Sequence, residues 1–181
     1  MAQNKLNVGL IGCCGLHYKY HLKDAYAKSE RAKIFACADL KINEFDDKNI
    51  EYQFKNYKEM LQVDGLDAVH IAVNNFAHFD VARDCLENGF PTLLEKPMTL
   101  KYAEAKELCR LSEKTGAPLL VGHVLRYDYK IELLREMMER KEFGKIRFIK
   151  TSRTGFKKCR SDCGEVFGDA VHDIDLCCWL L

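Results

Sequence analysis

Leu6-Asn-Val-Gly-Leu-Ile-Gly-Cys-Cys-Gly15 is a short apolar run that breaks into a glycine-rich turn, and a helical stretch from about Leu16 to Ser29 follows it. Strand, tight turn and helix in that order are the opening of a parallel sheet, whose strands need crossover connections. The pattern repeats outward. Lys33 to Asp39 is a second apolar run, closed by a single acidic residue. Leu66-Asp-Ala-Val-His-Ile-Ala-Val73 is a third, followed by a helix over about Ala77 to Asn88 that shows Val81, Ala82, Cys85 and Leu86 on one face. Gly89 stands where helices stop. Pro91 to Glu95 and Pro118 to Gly122 are further strands. Between them, Thr99 is positioned to cap a helix with Ala105, Leu108 and Leu111 inward, which Gly116 ends. Residues 40–65 are polar and mixed, with one short helix at Tyr57 to Leu61. Continuously apolar strands separated by helices predict an α/β class, a doubly wound parallel sheet over residues 1–124.

Residues 125–181 change character. A helix is expected over Tyr129 to Lys141, with Ile131, Leu134, Met137 and Met138 inward. Lys145-Ile-Arg-Phe-Ile-Lys-Thr151 alternates polar and apolar, as an antiparallel strand with one wet face does. Residues 152–165 read as a polar loop, and Asp173 to Leu181 as an apolar helix. One strand and a few helices cannot bury their own faces. This part therefore reads as the start of a second α/β domain, incomplete in this chain and belonging to a longer architecture.

The 181 residues are 48% hydrophobic and 30% charged, which is a globular and not a disordered composition. Lys+Arg at 28 against Asp+Glu at 27 gives no electrostatic case for nucleic acid or anionic lipid as a partner. No stretch has the length of a membrane span, and the first residues lack a signal-peptide pattern. The nine cysteines are odd in number and several lie in strand or helix patterns, so a reducing, cytoplasmic setting without a disulfide framework is expected.

The first turn is a candidate phosphate cradle of Gly12, Cys13, Cys14 and Gly15, because a helix N-terminus offers free N–H groups and partial positive charge. In a G-x-G-x-x-G reading from Gly12, Cys14 and His17 occupy the second and third glycine places. Asp39, at the end of the second strand, is placed to accept from adenosine ribose hydroxyls, which favours NAD over NADP while leaving NADP open, Lys41 being near. Glu95-Lys96-Pro97 ends another strand, where α/β sheets bind ligands. Lys96 there can hold a substrate oxygen and favour developing negative charge. Cys159, Cys163, His172 and Cys177 or Cys178 lack the paired spacing of a zinc site, and no metal site is expected. Cys177 and Cys178 read as core residues of the last helix, and His70 as a satisfied core histidine. Tyr20 and His21 read as helix surface.

Val8-Gly-Leu-Ile-Gly-Cys13, the Asp39 strand end, Leu66 to His78, Leu94-Glu-Lys-Pro-Met98, Val121-Gly-His-Val-Leu-Arg-Tyr127 and Val171-His-Asp-Ile-Asp-Leu176 occur in that order. Together they resemble the glucose–fructose oxidoreductase/inositol dehydrogenase family (Gfo/Idh/MocA), over almost the whole chain. The resemblance implies an N-terminal Rossmann domain, a second α/β domain on a mostly antiparallel sheet, and an active site between the two in that family. It implies hydride transfer between NAD or NADP and a hydroxyl carbon of a sugar or cyclitol. By the same resemblance, Asn74, Asn75, His78, Glu95 and Lys96 line the cofactor. Lys96, Arg126, Asp169 and His172 meet substrate, and His172 with Lys96 is catalytic, the histidine exchanging the hydroxyl proton. A homo-oligomer of the full-length form is expected. In that family an aspartate often stands four residues before the histidine, whereas here Gly168 holds that place and Asp169 follows one step later. The rival expectation is a nucleotide-binding or partner protein of this fold without catalysis.

Overall fold

A computed structural model describes residues 5–152 and 166–181. Six strands form one sheet: β1 (Leu6–Ile11), β2 (Ala32–Ala38), β3 (Tyr52–Phe54), β4 (Ala68–Ile71), β5 (Thr92–Leu94) and β6 (Leu119–Val121). All neighbours are parallel, in the order β3-β2-β1-β4-β5-β6. The winding direction reverses between β1 and β4, and the crevice beyond their C-terminal ends is where such sheets take ligands. This is the Rossmann order, in agreement with the doubly wound parallel sheet read from the apolar runs and the Rossmann domain that the resemblance implies.

Alternation along the strands feeds two cores. Ile11, Ala36, Ala38, Val69, Ile71 and Leu94 face one side, under α3 (His78–Glu87) and α4 (Tyr102–Thr115). Leu10 and Cys37 face the other, under Tyr18 and Leu22. The stripe Val81, Ala82, Cys85 and Leu86 on α3 is buried as its spacing requires. Gly116 ends α4 in the left-handed conformation, φ 74°, which only glycine adopts without strain.

Four expectations are corrected. The first helix is not uniform: a π-helical turn over Tyr18–Leu22 precedes α1 (Lys23–Lys28). The polar segment 40–65 holds α2 (Tyr57–Met60) but also the edge strand β3, which its exposed Tyr52 and Gln53 disguise. Lys101 and not Thr99 precedes α4, because the Thr99 hydroxyl donates to the Lys101 carbonyl at 2.8 Å. Lys145–Thr151 forms no strand among the described residues, because alternation specifies a strand only where a neighbour supplies the hydrogen bonds.

The chain divides into two compact units, Met1–Val121 and Gly122–Leu181. The second contains α5 (Tyr129–Glu139) and α6 (Val171–Leu180). Asp128 caps α5 by accepting from the Lys130 amide at 2.9 Å. Within this unit Asp175 of α6 accepts from Arg126 through both carboxylate oxygens, with Arg126 Nε at 2.8 Å. The Arg135 guanidinium stacks 4.3 Å from the Trp179 ring centroid. Leu176 is the buried residue of α6, whereas Cys178 is exposed, so Cys178 is not the core residue expected. The described cysteines carry free thiols. Cys159 and Cys163 lie outside the described residues.

Candidate functional site

The switch point between β1 and β4 is closed by backbone. The Gly12 amide donates to the Ala38 carbonyl at 2.8 Å, and the Ala72 amide to the Ile11 carbonyl at 2.8 Å. Gly12 has φ +98°, and a Cβ there would lie 2.5 Å from the Ala72 carbonyl oxygen. No other residue fits, so the chain turns sharply off β1 with its amides directed along the sheet's edge. Cys13 is buried in the core below. Cys14 is half-buried, and its amide donates to Asp39 Oδ2 at 2.9 Å. The second oxygen, Asp39 Oδ1, accepts from the Lys41 amide at 2.9 Å. Asp39 is thus fixed by both turns it joins, and its own amide donates to Phe54 on β3 at 3.1 Å.

Gly12, Gly15, Asp39, Lys41, Lys55 and Asn74 are among the residues that line a cavity of about 390 Å³. Lys55 and Tyr57 were not anticipated from sequence; they reach this wall because β3 pairs with β2. Asn74 is exposed at the rim and accepts from the Ala77 amide at 3.3 Å. Asn75 and His78 are buried. His78 Nδ1 lies 2.7 Å from the Pro97 carbonyl and Nε2 3.3 Å from the Val73 carbonyl. The ring therefore braces the loop after β4 against the turn after β5.

Glu95 directly follows β5. Its Oε1 lies 2.9 Å from His17 Nε2 and 3.4 Å from His70 Nε2, and the Tyr26 hydroxyl is 3.0 Å from His70 Nδ1. Burial would raise this carboxyl, but the two imidazoles outweigh burial and hold it well below the usual carboxylate range. His70 is a satisfied buried histidine, and His17, in the third glycine place, ties the phosphate turn to the Glu95-Lys96-Pro97 segment. Lys96 is half-buried beside the cis Lys96–Pro97 peptide.

In the second unit, the Arg126 guanidinium is paired with Asp175 through Nε and a terminal nitrogen. Asp169 and His172 are half-buried, on the helical turn Val166–Ala170 and on α6 respectively.

A glycine that tolerates no side chain at the switch point, an acidic residue at the end of β2 and a cavity across both define a nucleotide-binding doubly wound domain. Residues 6–123 match the model of the oxidoreductase family with an NAD-binding Rossmann fold, and the chain belongs to that family. It is 33% identical over 112 residues to UDP-N-acetylglucosamine 3-dehydrogenase of Acidithiobacillus ferrooxidans, a match covering 61% of this chain and 34% of that protein. It is 26% identical over 192 residues to scyllo-inositol 2-dehydrogenase (NAD(+)) of Bacillus subtilis, covering 99% of this chain and 55% of that protein. The fold matches the crystal structure of an NAD-binding protein from Listeria innocua with a TM-score of 0.85 at 22% identity, covering 98% of this chain and 55% of that one. The chain thus spans between a third and about half the length of these relatives. Among the described residues, no helix is long and apolar enough to cross a membrane.

Proposed function

We propose that this chain binds NAD(H) at the Gly12 turn and is the cofactor-binding part of a dehydrogenase acting on a hydroxyl carbon of a sugar or cyclitol. The observation that carries this reading is the Gly12 position, where any Cβ would collide with the Ala72 carbonyl, opening onto a cavity walled by Asp39. A dinucleotide fits these residues. In the Gly12–Gly15 turn the amides of Cys13 and Gly15 hold its diphosphate, those of Gly12 and Cys14 being given to Ala38 and Asp39, and Asp39, whose oxygens each accept one backbone amide, keeps lone pairs for the ribose hydroxyls. Lys41 and Lys55 on the same wall keep NADP within the reading, with NAD preferred for the carboxylate at the ribose.

When bound, the nicotinamide ring accepts or returns a hydride. The chain's own residues do the rest. Lys96 holds the substrate oxygen and favours its partly anionic form, and His172 takes the hydroxyl proton. Glu95, fixed by His17 and His70, sets the backbone from which Lys96 projects. Residues 125–181 are the start of the substrate domain, Asp169 contributes to substrate contact, and the setting is cytoplasmic. The full-length form is a homo-oligomer.

NADH fluorescence titration tests the binding. Asp39→Ala should weaken it by about 1–3 kcal/mol, roughly 5- to 150-fold, through loss of hydrogen bonds to a charged group. Unchanged affinity would remove Asp39 from the site. Turnover is tested with cyclitols and hexoses in a form whose substrate pocket is complete: there Lys96→Ala and His172→Ala should each lose about 10²–10⁴ in rate while still binding NADH. Tight NADH binding with no turnover on any polyol would favour the non-catalytic reading.

A further inference from the structure

Cys14 stands where a glycine would let backbone approach a diphosphate, and the proposed function gives its thiol no task. The thiol is not alone. Cys13 Sγ, Cys14 Sγ and a carboxylate oxygen of Asp39 all lie within 4.8 Å of one another. Cys14 Sγ donates to the Lys41 carbonyl at 3.3 Å, which turns it toward the end of β2 and Asp39. We propose that Cys13, Cys14 and Asp39 form a binding site for a thiophilic divalent cation of the Zn(II)/Cd(II) class, which occupies the phosphate turn in place of the dinucleotide.

The donor set suits such an ion. Two thiolates and a carboxylate are ligands that zinc-like cations take tetrahedrally, with a fourth place left for water. Metal–sulfur bonds of ~2.3 Å hold two sulfurs about 3.8 Å apart. The three donors therefore need to close by no more than about 1 Å, which side-chain torsions can supply. On binding, both thiols give their protons to solvent, two metal–sulfur bonds form, and the Cys14–Lys41 hydrogen bond is lost.

Exclusion of the dinucleotide follows from shared groups. The ion and the ribose hydroxyls compete for Asp39, and Cys14 belongs to the turn that the proposed function gives to the diphosphate. Only this exclusion rests on the dinucleotide reading; the binding of the ion does not.

Cadmium is the probe, because its thiolate complexes absorb in the ultraviolet where the free ion does not. In the full chain, Cd²⁺ should produce a thiolate-to-metal band, of which one equivalent disappears in Cys14→Ser and weakens in Asp39→Asn. Excess Cd²⁺ should weaken NADH binding by tenfold or more in the wild type and leave the NADH affinity of Cys14→Ser unresponsive to the metal. A cadmium band that is the same in wild type and Cys14→Ser overturns the site, since the other cysteines would then account for it. A Cys14-dependent band with NADH affinity indifferent to cadmium overturns the exclusion. Failure of NADH to bind in metal-free protein overturns the dinucleotide reading, and the band with its loss in Cys14→Ser then decides the metal site alone.

Discussion

Glu95 is a carboxylate closed in by two imidazoles, and its protonation is tied to folding. Burial opposes its charge, but the hydrogen bonds from His17 and His70 prevail, so its native pKa lies below the ordinary 4.5. Between those values the unfolded chain binds more protons than the native one, and stability rises with pH through that window. The contribution is fully present above 4.5 and is lost as pH falls toward the native value. Glu95→Gln removes it. The variant should melt below the wild type at neutral pH, and the gap should narrow as pH drops below 4.5. Thermal melts across that range check this, and a gap independent of pH would show that the loss is one of packing. At this scale the sequence was partly legible. Gly12, Asp39 and Glu95-Lys96-Pro97 each stand at a strand end, a position that apolar runs mark. The His17–Glu95 pair was not legible, because its members are 78 residues apart and only the order of β1 and β5 in the sheet brings them together.

Among elements, α3 carries much of the packing against the sheet face beneath the cavity. Leu86 is fully buried there, in the same cluster as Val69, Ile71 and Leu94. Leu86→Ala should cost about 2–5 kcal/mol, the lost burial plus the cavity left behind. Leu120→Ala on the edge strand β6, where the side chain is 53% exposed, should cost far less. Urea unfolding of both variants measures the contrast, and equal losses would contradict the packing described. The strands that could be read beforehand are those buried on both faces, whose apolar runs are continuous. β3 escaped because an edge strand is half wet: Tyr52 and Gln53 are exposed, and only pairing with β2 makes the segment a strand. Lys145–Thr151 shows the converse, with the right alternation and no partner among the described residues. Thr99 had the right residue type for a cap, but its hydroxyl turns to a carbonyl and leaves the first turn of α4 to start after Lys101.

For the molecule as a whole, the division at Val121–Gly122 separates two kinds of work. Every residue lining the cavity lies between Ile11 and Val81, inside the first unit, and the sheet that positions them ends at Val121. Both core clusters are likewise built from residues of that unit. Residues 1–121 alone should therefore fold and bind NADH as tightly as the 181-residue chain. The second unit displays Phe148 at 80%, Tyr129 at 73% and Ile174 at 54% exposure, which adds to the exposed Leu40 and Phe76 of the first. Apolar surface of that kind recruits other surfaces, so the 181-residue chain should self-associate more strongly than the fragment in light scattering. The fragment lacks His172 and should show no polyol-dependent reduction of NAD under any condition. Equal affinity with weaker association would locate cofactor binding in the first unit and the added association in the second. Loss of NADH binding in a fragment that melts cooperatively would mean that residues beyond Val121 complete the cofactor site.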